Sequence, residues 1–108
     1  MKIMLINPDS GMEATVLSAR CQLLKEYVGA DVELAMVCPT LNNLELDSAL
    51  DAALAGPELL CLVKQAEQEN YDAVVLYCFS DPVLAAAREL VKIPAVGAGQ
   101  SACLLAPV

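Results

Sequence analysis

The stretch Val74-Val75-Leu76-Tyr77-Cys78-Phe79-Ser80-Asp81-Pro82 joins an apolar strand to a polar loop that opens a helix. The β-branched run is typical of a buried parallel strand, and Pro82 favours the first turn of a helix. In such sheets the ligand site lies at the carboxyl ends of the strands, where backbone N–H groups and a helix dipole stabilise a thiolate. Cys78 is therefore the first candidate for a nucleophile or base. The alternative is that Cys78 is a small buried hydrophobic residue, which is the usual state of a free cysteine.

Strands and helices alternate along the rest of the chain. Strands are expected at 2–7, 31–38, 73–78 and 94–97, and helices at 10–29, 48–55, 57–66 and 82–90, with a last helix starting near residue 100. Ser10 is the expected N-cap of the first helix, and Gly56-Pro57 is expected to interrupt the second. Strict alternation predicts α/β architecture: a four-stranded parallel sheet with helices on both faces, in a flavodoxin-like three-layer sandwich. Residues 1–108 are predicted to form a single α/β domain.

Composition limits the partners that this chain is expected to bind. The net charge is −8, and the six Lys and Arg residues do not cluster, so we expect no nucleic-acid partner. The apolar run at the amino terminus is too short for a membrane span, and we expect a cytoplasmic protein with no membrane partner. Hydrophobic residues make up 57% of the sequence, more than a small domain buries alone, which predicts a face covered by another domain or subunit.

The five cysteines and the absence of histidine narrow the chemistry. An odd number of widely spaced cysteines without a C-x-x-C pair predicts reduced thiols rather than disulfides. Without histidine, Ser-His-Asp and Cys-His systems and the common zinc sites are excluded, and we expect no metal. Cys21 and Cys61 are expected in the middle of helices, with their side chains in the hydrophobic core. Cys38 ends a predicted strand and is the second candidate thiol.

The four predicted strands end at Asn7, Cys38, Cys78 and Gly97, which places the following loops on one rim. Asn7 either holds a ligand carbonyl or carboxylate, or only shapes its turn. Asp81 either orients Cys78 or a substrate amide, or caps a helix. The run from Gly97 to Ala102 matches the G-x-G-x-x-A fingerprint, but it follows the fourth strand and lacks the acid that holds a ribose. We expect a tight turn there, with a modest anion site at the start of the helix.

Six motifs together carry a family resemblance. They are Ile6-Asn7-Pro8, Asp51-Ala52-Ala53-Leu54-Ala55-Gly56-Pro57, Tyr71-Asp72-Ala73, Cys78-Phe79-Ser80-Asp81-Pro82, Ala87-Arg88-Glu89-Leu90 and Ile93-Pro94-Ala95-Val96-Gly97. Over nearly its whole length the chain resembles the N-terminal half of the hydantoin racemase group, within the aspartate/glutamate racemase superfamily.

The resemblance implies a cofactor-independent, two-domain racemase of hydantoins or related amino-acid derivatives, with one cysteine from each of two pseudo-symmetric halves. One thiolate takes the proton from the stereocentre, and the other thiol returns a proton to the opposite face. Cys78 matches the first cysteine. By the same resemblance, the backbone amides of Phe79 and Ser80 stabilise the enolate, Asn7 orients a carbonyl, and Asp81 lies among the substrate-binding residues.

The segment Asn7-Pro8-Asp9-Ser10-Gly11 departs from the Asn-Pro-Asn-Thr-Ser that is usual in the family, which leaves the substrate open. The sequence also lacks the family's second half and its cysteine. The expected partners are therefore a small-molecule substrate and either a C-terminal half or a second copy in a homo-oligomer. The alternatives are a one-thiol decarboxylase or cis-trans isomerase of the same superfamily, or a non-catalytic half-domain that binds a small molecule.

Overall fold

The computed structural model describes residues 1–107, which contain one parallel sheet of four strands in the order β2-β1-β3-β4. The strands are β1 (Lys2–Ile6), β2 (Glu33–Val37), β3 (Ala73–Leu76) and β4 (Ala95–Gly97). Ile6 lies opposite Val37 on one side and Leu76 on the other, and Leu76 lies opposite Gly97. All four strands therefore end at the same level, and their following loops share one rim.

The helices are α1 (Ala14–Lys25), α2 (Ala49–Gln68), α3 (Leu84–Leu90) and α4 (Ala98–Leu105). The chain steps from β1 to β2 in one direction and from β2 across β1 to β3 in the other. With right-handed crossovers, this reversal puts α1 on one face of the sheet and α2 with α3 on the opposite face. The predicted flavodoxin-like α/β fold is confirmed. None of the described helices is both long and apolar enough to span a membrane.

The main core lies between α2 and the sheet. On that face the strands contribute Met4, Ile6, Val74 and Leu76, and the helices contribute Ala55, Leu59, Val63, Ala66 and Ala87, all essentially inaccessible to water. The α2 residues recur at intervals of three and four, so one stripe of the helix faces the sheet. This packing fixes α2 over β1 and β3 and carries its amino end to the rim.

The expected break at Gly56-Pro57 is wrong, because α2 runs through it without interruption. A proline inside a helix costs about 3 kcal/mol. Burial of a side chain such as Leu59 or Val63 stabilises the fold by about 1.5–3 kcal/mol each, and both belong to a stripe that crosses Pro57 unbroken. Packing therefore outweighs the local preference. Gly56 is buried, and a Cβ there would lie 3.1 Å from Cγ1 of Val83, so α2 passes close to the loop after β3 at this point.

The other face of the sheet is covered less completely. Ile3, Val75 and Val96 are only partly buried there, and α1 contributes no fully buried residue. Parallel sheets normally have helices over both faces, with apolar side chains buried on each. Apolar surface of the described chain therefore stays partly open on the α1 side.

Two further local expectations are wrong. The helix α1 begins at Ala14 after an N-cap at Glu13, and not after Ser10. Cys61 is exposed on the outer side of α2, and Cys21 is only partly buried, so neither is a core residue. Both corrections arise because tertiary contacts, and not the local sequence, decide where Ser10 bonds and which side of a helix faces the sheet.

Candidate active site

Asn7 and Cys78 follow the neighbouring strands β1 and β3 at the point where these strands leave the sheet. The backbone N–H of Asn7 donates to the Val37 carbonyl at 2.8 Å, and the N–H of Tyr77 donates to the Ile6 carbonyl at 2.8 Å. The ladder thus continues one residue past each strand before the loops diverge. The strand order reverses between β1 and β3, and in open α/β sheets the ligand cleft lies at this reversal.

The loop after β3 folds back on itself and brings a hydroxyl to the thiol. Sγ of Cys78 lies 3.2 Å from Oγ of Ser80. The turn is closed by the Asp81 N–H, which donates to the Cys78 carbonyl at 3.1 Å. Cys78 is partly buried and Phe79 is exposed. The thiol therefore has a hydroxyl partner and a path to solvent, as a proton-transfer group requires.

Asn7 is 3% exposed, and its amide has a turn-shaping role. Its Oδ1 accepts the Asp9 N–H at 3.2 Å, which is an Asx turn. Asn7 thus shapes the turn after β1 with its side-chain oxygen.

The loops after β1 and β2 are fastened to each other. The hydroxyl of Ser10 shares its single proton between the carbonyls of Pro39 and Asn42, and the Ser10 N–H donates to the Leu44 carbonyl at 3.0 Å. Oδ1 of Asp9 accepts the Leu46 N–H at 2.9 Å. The residue expected to cap α1 instead joins two loops. We call the two joined loops, which follow β1 and β2, the first wall of the rim.

Glu58 of α2 binds the loop after β2, which belongs to the same wall. Its carboxylate accepts the N–H groups of Thr40 at 2.7 Å and Leu41 at 3.0 Å, and Nδ2 of Asn42 at 2.7 Å. Partial burial opposes the charge, but the backbone hydrogen bonds from Leu41 and Thr40 and the side chain of Asn42 together lower the pKa of Glu58. The sequence analysis missed this residue, because nothing near Glu58 in the chain marks a contact 16–18 residues away.

A cleft of about 460 Å³ opens beside Ser80. It is lined by Leu46, Asp47, Ser48, Ala49, Ala52 and Ser80. The first turn of α2 forms one side, where Oγ of Ser48 accepts the Asp51 N–H at 3.1 Å. A larger apolar groove of about 530 Å³ runs between α2 and α3, past Cys61, but it contains no strand-end residue. The cleft of about 460 Å³ is therefore the one whose lining includes Ser80, the residue in contact with the Cys78 thiol.

Asp81 is used differently from either sequence interpretation. Its Oδ1 accepts the Gly99 N–H at 2.8 Å and its Oδ2 accepts the Gln100 N–H at 2.7 Å, so it caps α4 and not its own helix. The anion site expected at the start of that helix is therefore filled by the protein's own carboxylate. A Cβ on Gly97 would lie 2.5 Å from Oδ1 of Asp81, so the G-x-G spacing permits this close approach.

The other thiols are less suited to chemistry. Cys38 is buried, with its Sγ 3.9 Å from the Met12 carbonyl, and Cys103 is exposed on α4. Within residues 1–107, no three His, Cys, Asp or Glu side chains are grouped as a metal site requires. Cys78 is thus the strand-end cysteine that solvent reaches in the described chain.

The loops after the first three strands are acidic. Residues 7–13, 38–48 and 77–83 contain the carboxyl side chains of Asp9, Glu13, Glu45, Asp47 and Asp81, and no Lys or Arg. A carboxylate ligand would be repelled at such a rim. The charge of the rim therefore favours an uncharged ligand over an anionic one.

Known proteins share this architecture. The family model for Asp/Glu/Hydantoin racemase matches residues 3–107. A hydantoin racemase from Rhizobium meliloti is 35% identical over 106 residues, which is 98% of this chain and 43% of that protein. A hydantoin racemase from Pseudomonas sp. (strain NS671) is 33% identical over 98% of this chain and 42% of its own length.

Allantoin racemase from Klebsiella pneumoniae superposes with a TM-score of 0.85 at 26% identity, over 97% of this chain and 42% of that structure. The chain therefore spans less than half the length of the relatives that it matches. The family model covers nearly every residue, including the strand ends that hold Asn7 and Cys78. This chain belongs to the Asp/Glu/Hydantoin racemase family.

Proposed function

We propose that Cys78 is the proton-transfer thiol of a cofactor-independent racemase that acts on hydantoins or related amino-acid derivatives. The observation that carries the proposal is the contact of 3.2 Å between Sγ of Cys78 and Oγ of Ser80, at the point where strand order reverses. The family membership supports the reaction class, and the solvent path to the thiol supports access by a substrate.

In the proposed reaction the thiolate of Cys78 removes the proton from the stereocentre. The C–H bond breaks, an S–H bond forms, and the electron pair moves onto the ring carbonyl as an enolate. Nδ2 of Asn7 and the backbone N–H groups of Phe79 and Ser80 donate to the carbonyl oxygens, which favours the enolate over the neutral substrate. The carboxylate of Asp81 is occupied by α4, so we assign it no contact with substrate.

The charge of the rim favours a neutral cyclic amide as substrate. A hydantoin ring carries no carboxylate, and its carbonyls acidify the proton that the thiol removes. A free amino acid brings a carboxylate to loops that contain five carboxyl side chains and no cationic one. We therefore place the substrate among hydantoins and related uncharged derivatives.

Racemisation needs a second proton donor on the opposite face of the substrate, and we propose that a facing α/β unit supplies it. Large apolar side chains are exposed around the cleft: Leu41 is 89% exposed, Leu50 67% and Phe79 71%. Such a ring of apolar surface favours a cover. A two-fold dimer joined at this rim would bring two copies of Cys78 across one cleft. The longer relatives suggest the alternative cover, a C-terminal half.

The dimer is tested by light scattering at tens of micromolar protein. We expect a dimer that Leu41→Glu converts to a monomer. Tyr27 is 81% exposed but lies beyond the far end of α1, so Tyr27→Glu is the matched control and should leave the dimer intact. A wild-type monomer would contradict the dimer, and a dimer with the two Cys78 sulfurs far apart would contradict the shared site.

The free cysteines suit a reducing compartment, so we also propose a cytoplasmic location.

The function is tested with one enantiomer of a 5-substituted hydantoin in deuterated water. Deuterium uptake at the stereocentre reports proton removal, and loss of the circular dichroism signal reports return of a proton to the opposite face. We expect Cys78→Ala to abolish both, whereas Cys61→Ala, on the outer side of α2, should leave both unchanged. Deuterium uptake at the stereocentre catalysed by Cys78→Ala would contradict the proposal.

One observation favours a second candidate, because the described chain brings one accessible thiol to its rim. A one-thiol decarboxylase or cis-trans isomerase of the same superfamily would need no second cysteine. Deuterium uptake with retained optical activity would show that Cys78 acts alone. Hydantoin binding without any uptake would instead favour a non-catalytic binding half-domain.

A further inference from the structure

The loop that carries Cys78 contains backbone conformations that L-residues rarely adopt. Asp81 has φ 49° and Val83 has φ 54°, both in the left-handed region, and a β-branched residue is especially disfavoured there. Such conformations persist only where the surrounding structure enforces them. The contacts that enforce this loop therefore decide where Ser80 and Cys78 stand.

Two close approaches to glycine enforce the loop. Val83 packs on Gly56 of α2, and the Phe79 carbonyl lies against Gly99 of α4, where an added Cβ would overlap the carbonyl oxygen. Between them, the carboxylate of Asp81 accepts two N–H groups of the first turn of α4, those of Gly99 and Gln100, at 2.7–2.8 Å. Asp81 is the one side chain of the loop that crosses to α4 through hydrogen bonds in the described chain.

We propose that Asp81 is a positioning residue, which holds the loop against α4 so that the Ser80 hydroxyl stays on the Cys78 thiol. The catalytic meaning of that thiol rests on the proposed function, but the positioning does not. If the Asp81 carboxylate no longer binds the N–H groups of α4, the backbone of Asp81 can return to negative φ. The hydrogen bond from the Asp81 N–H to the Cys78 carbonyl then breaks, and the turn opens. Ser80 then leaves Sγ, and the thiolate loses a hydrogen-bond donor.

The charge of Asp81 matters as well as its shape. A carboxylate offers two acceptors to two N–H groups and a negative charge to the positive end of α4. An amide at the same position has one acceptor, and its NH₂ group faces an N–H. Asp81→Asn should therefore break the arrangement while changing the size of the side chain very little.

The test is the rate of alkylation of Cys78 by iodoacetamide at pH 7.5, followed by peptide mass spectrometry. Loss of the Ser80 hydroxyl in Ser80→Ala should slow Cys78 about fivefold, because a hydrogen bond to the thiolate is lost. Asp81→Asn should slow it to the same extent. In the double variant, we expect no further slowing. Independent effects that multiply would overturn the proposal, as would an unchanged rate in Asp81→Asn.

Asp72→Asn is the matched control. Its carboxylate also accepts a backbone N–H at 2.7 Å, from Lys2, but at the opposite edge of the sheet. It should leave Cys78 alkylation unchanged, and equal slowing in this variant would mean that loss of stability alone explains the effect. Alkylation of the exposed Cys61 and Cys103 in the same molecules should stay constant.

Gly99→Ala tests the same contact from the other side and serves if Asp81→Asn fails to fold. The added methyl group pushes the Phe79 carbonyl away from α4 while Asp81 stays intact. We expect the slowing seen in Ser80→Ala, and normal alkylation in a folded Gly99→Ala would contradict the proposal. Alkylation of Cys78 needs no turnover. If the deuterium-exchange experiment contradicts the racemase proposal, the alkylation result for Asp81 therefore still stands. A failure of the alkylation test likewise leaves the racemase proposal untouched.

Discussion

The two walls of the rim, the loops after β1 and β2 and the loop after β3, are built in different ways. The wall after β1 and β2 is fastened by many hydrogen bonds: Ser10 and Asp9 join the loops, and Glu58 binds three more donors from behind. The wall after β3, which holds Cys78, depends on one carboxylate, Asp81, and on two glycine contacts. The first wall is therefore redundant, whereas the second is sensitive to single substitutions.

The largest effect is expected from Asp81→Ala. This change leaves the first turn of α4 without its cap and releases the left-handed backbone at position 81. Loss of a helix cap and its hydrogen bonds should lower the free energy of unfolding by about 2 kcal/mol. Urea unfolding followed by circular dichroism measures it. A change close to zero would mean that the glycine contacts alone hold this wall.

Glu58→Gln is expected to have an intermediate effect. The amide keeps one acceptor for the three donors of residues 40–42, so the charge-assisted bonds are weakened but the loop keeps its links to Ser10. We expect a loss of about 1 kcal/mol in the free energy of unfolding. Cys78 alkylation should stay at the wild-type rate, and slowing would show that the two walls are coupled.

The same residue gives a pH dependence with a defined sign. The pKa of Glu58 is lowered in the folded chain, because its backbone and side-chain donors outweigh partial burial. Its contribution to stability is therefore complete above the ordinary value of 4.5 and is lost as pH falls through the lower folded pKa. As the pH is lowered from 6 to about 3, the midpoint temperature of thermal unfolding should fall less steeply in Glu58→Gln than in the wild type.

Glu67 changes in the same direction, because its hydrogen bonds to Lys64 and the Lys92 N–H lower its pKa. Glu67→Gln is therefore the control for the acid titration. It should also make thermal stability depend less steeply on pH, but it should leave the hydrogen bonds of residues 40–42 intact. If Glu58→Gln leaves the acid profile unchanged, the account of this wall is wrong.

The smallest effect is expected from Ser10→Ala. It removes the hydroxyl bonds to the Pro39 and Asn42 carbonyls, but the backbone bonds of Ser10 to Leu44 and of Gly11 to Pro39 remain. The free energy of unfolding should fall by about 0.5 kcal/mol, at the low end for a hydrogen bond. A loss as large as that of Asp81→Ala would show that the first wall is not redundant.

The parallel sheet and the position of Cys78 could be predicted because their signals are local. An apolar, β-branched run that leads into a cysteine and a polar loop indicates both the strand and the edge of the sheet at which the cysteine lies. The cap of α4 by Asp81 could not be predicted, since its partners lie 18–19 residues away and leave no periodic pattern. The roles of Ser10 and Glu58 were missed for the same reason.

The continuity of α2 shows a different limit. A Gly-Pro pair is a strong local signal for a break, and the buried stripe that overrides it can be seen only when the sheet is present. The spacing of Ala55, Leu59, Val63 and Ala66 was nevertheless visible in the sequence. That spacing continues on both sides of Pro57 and therefore favours one uninterrupted helix.

The central claim is that the sulfur of Cys78 removes the substrate proton, and Cys78→Ser tests it with a change of one atom. The serine keeps the size and the neighbour Ser80, but its hydroxyl is a far weaker base at neutral pH. We expect deuterium uptake at the stereocentre of a 5-substituted hydantoin to fall about hundredfold or more, as for loss of a general base. Uptake in Cys78→Ser at the wild-type rate would contradict the account.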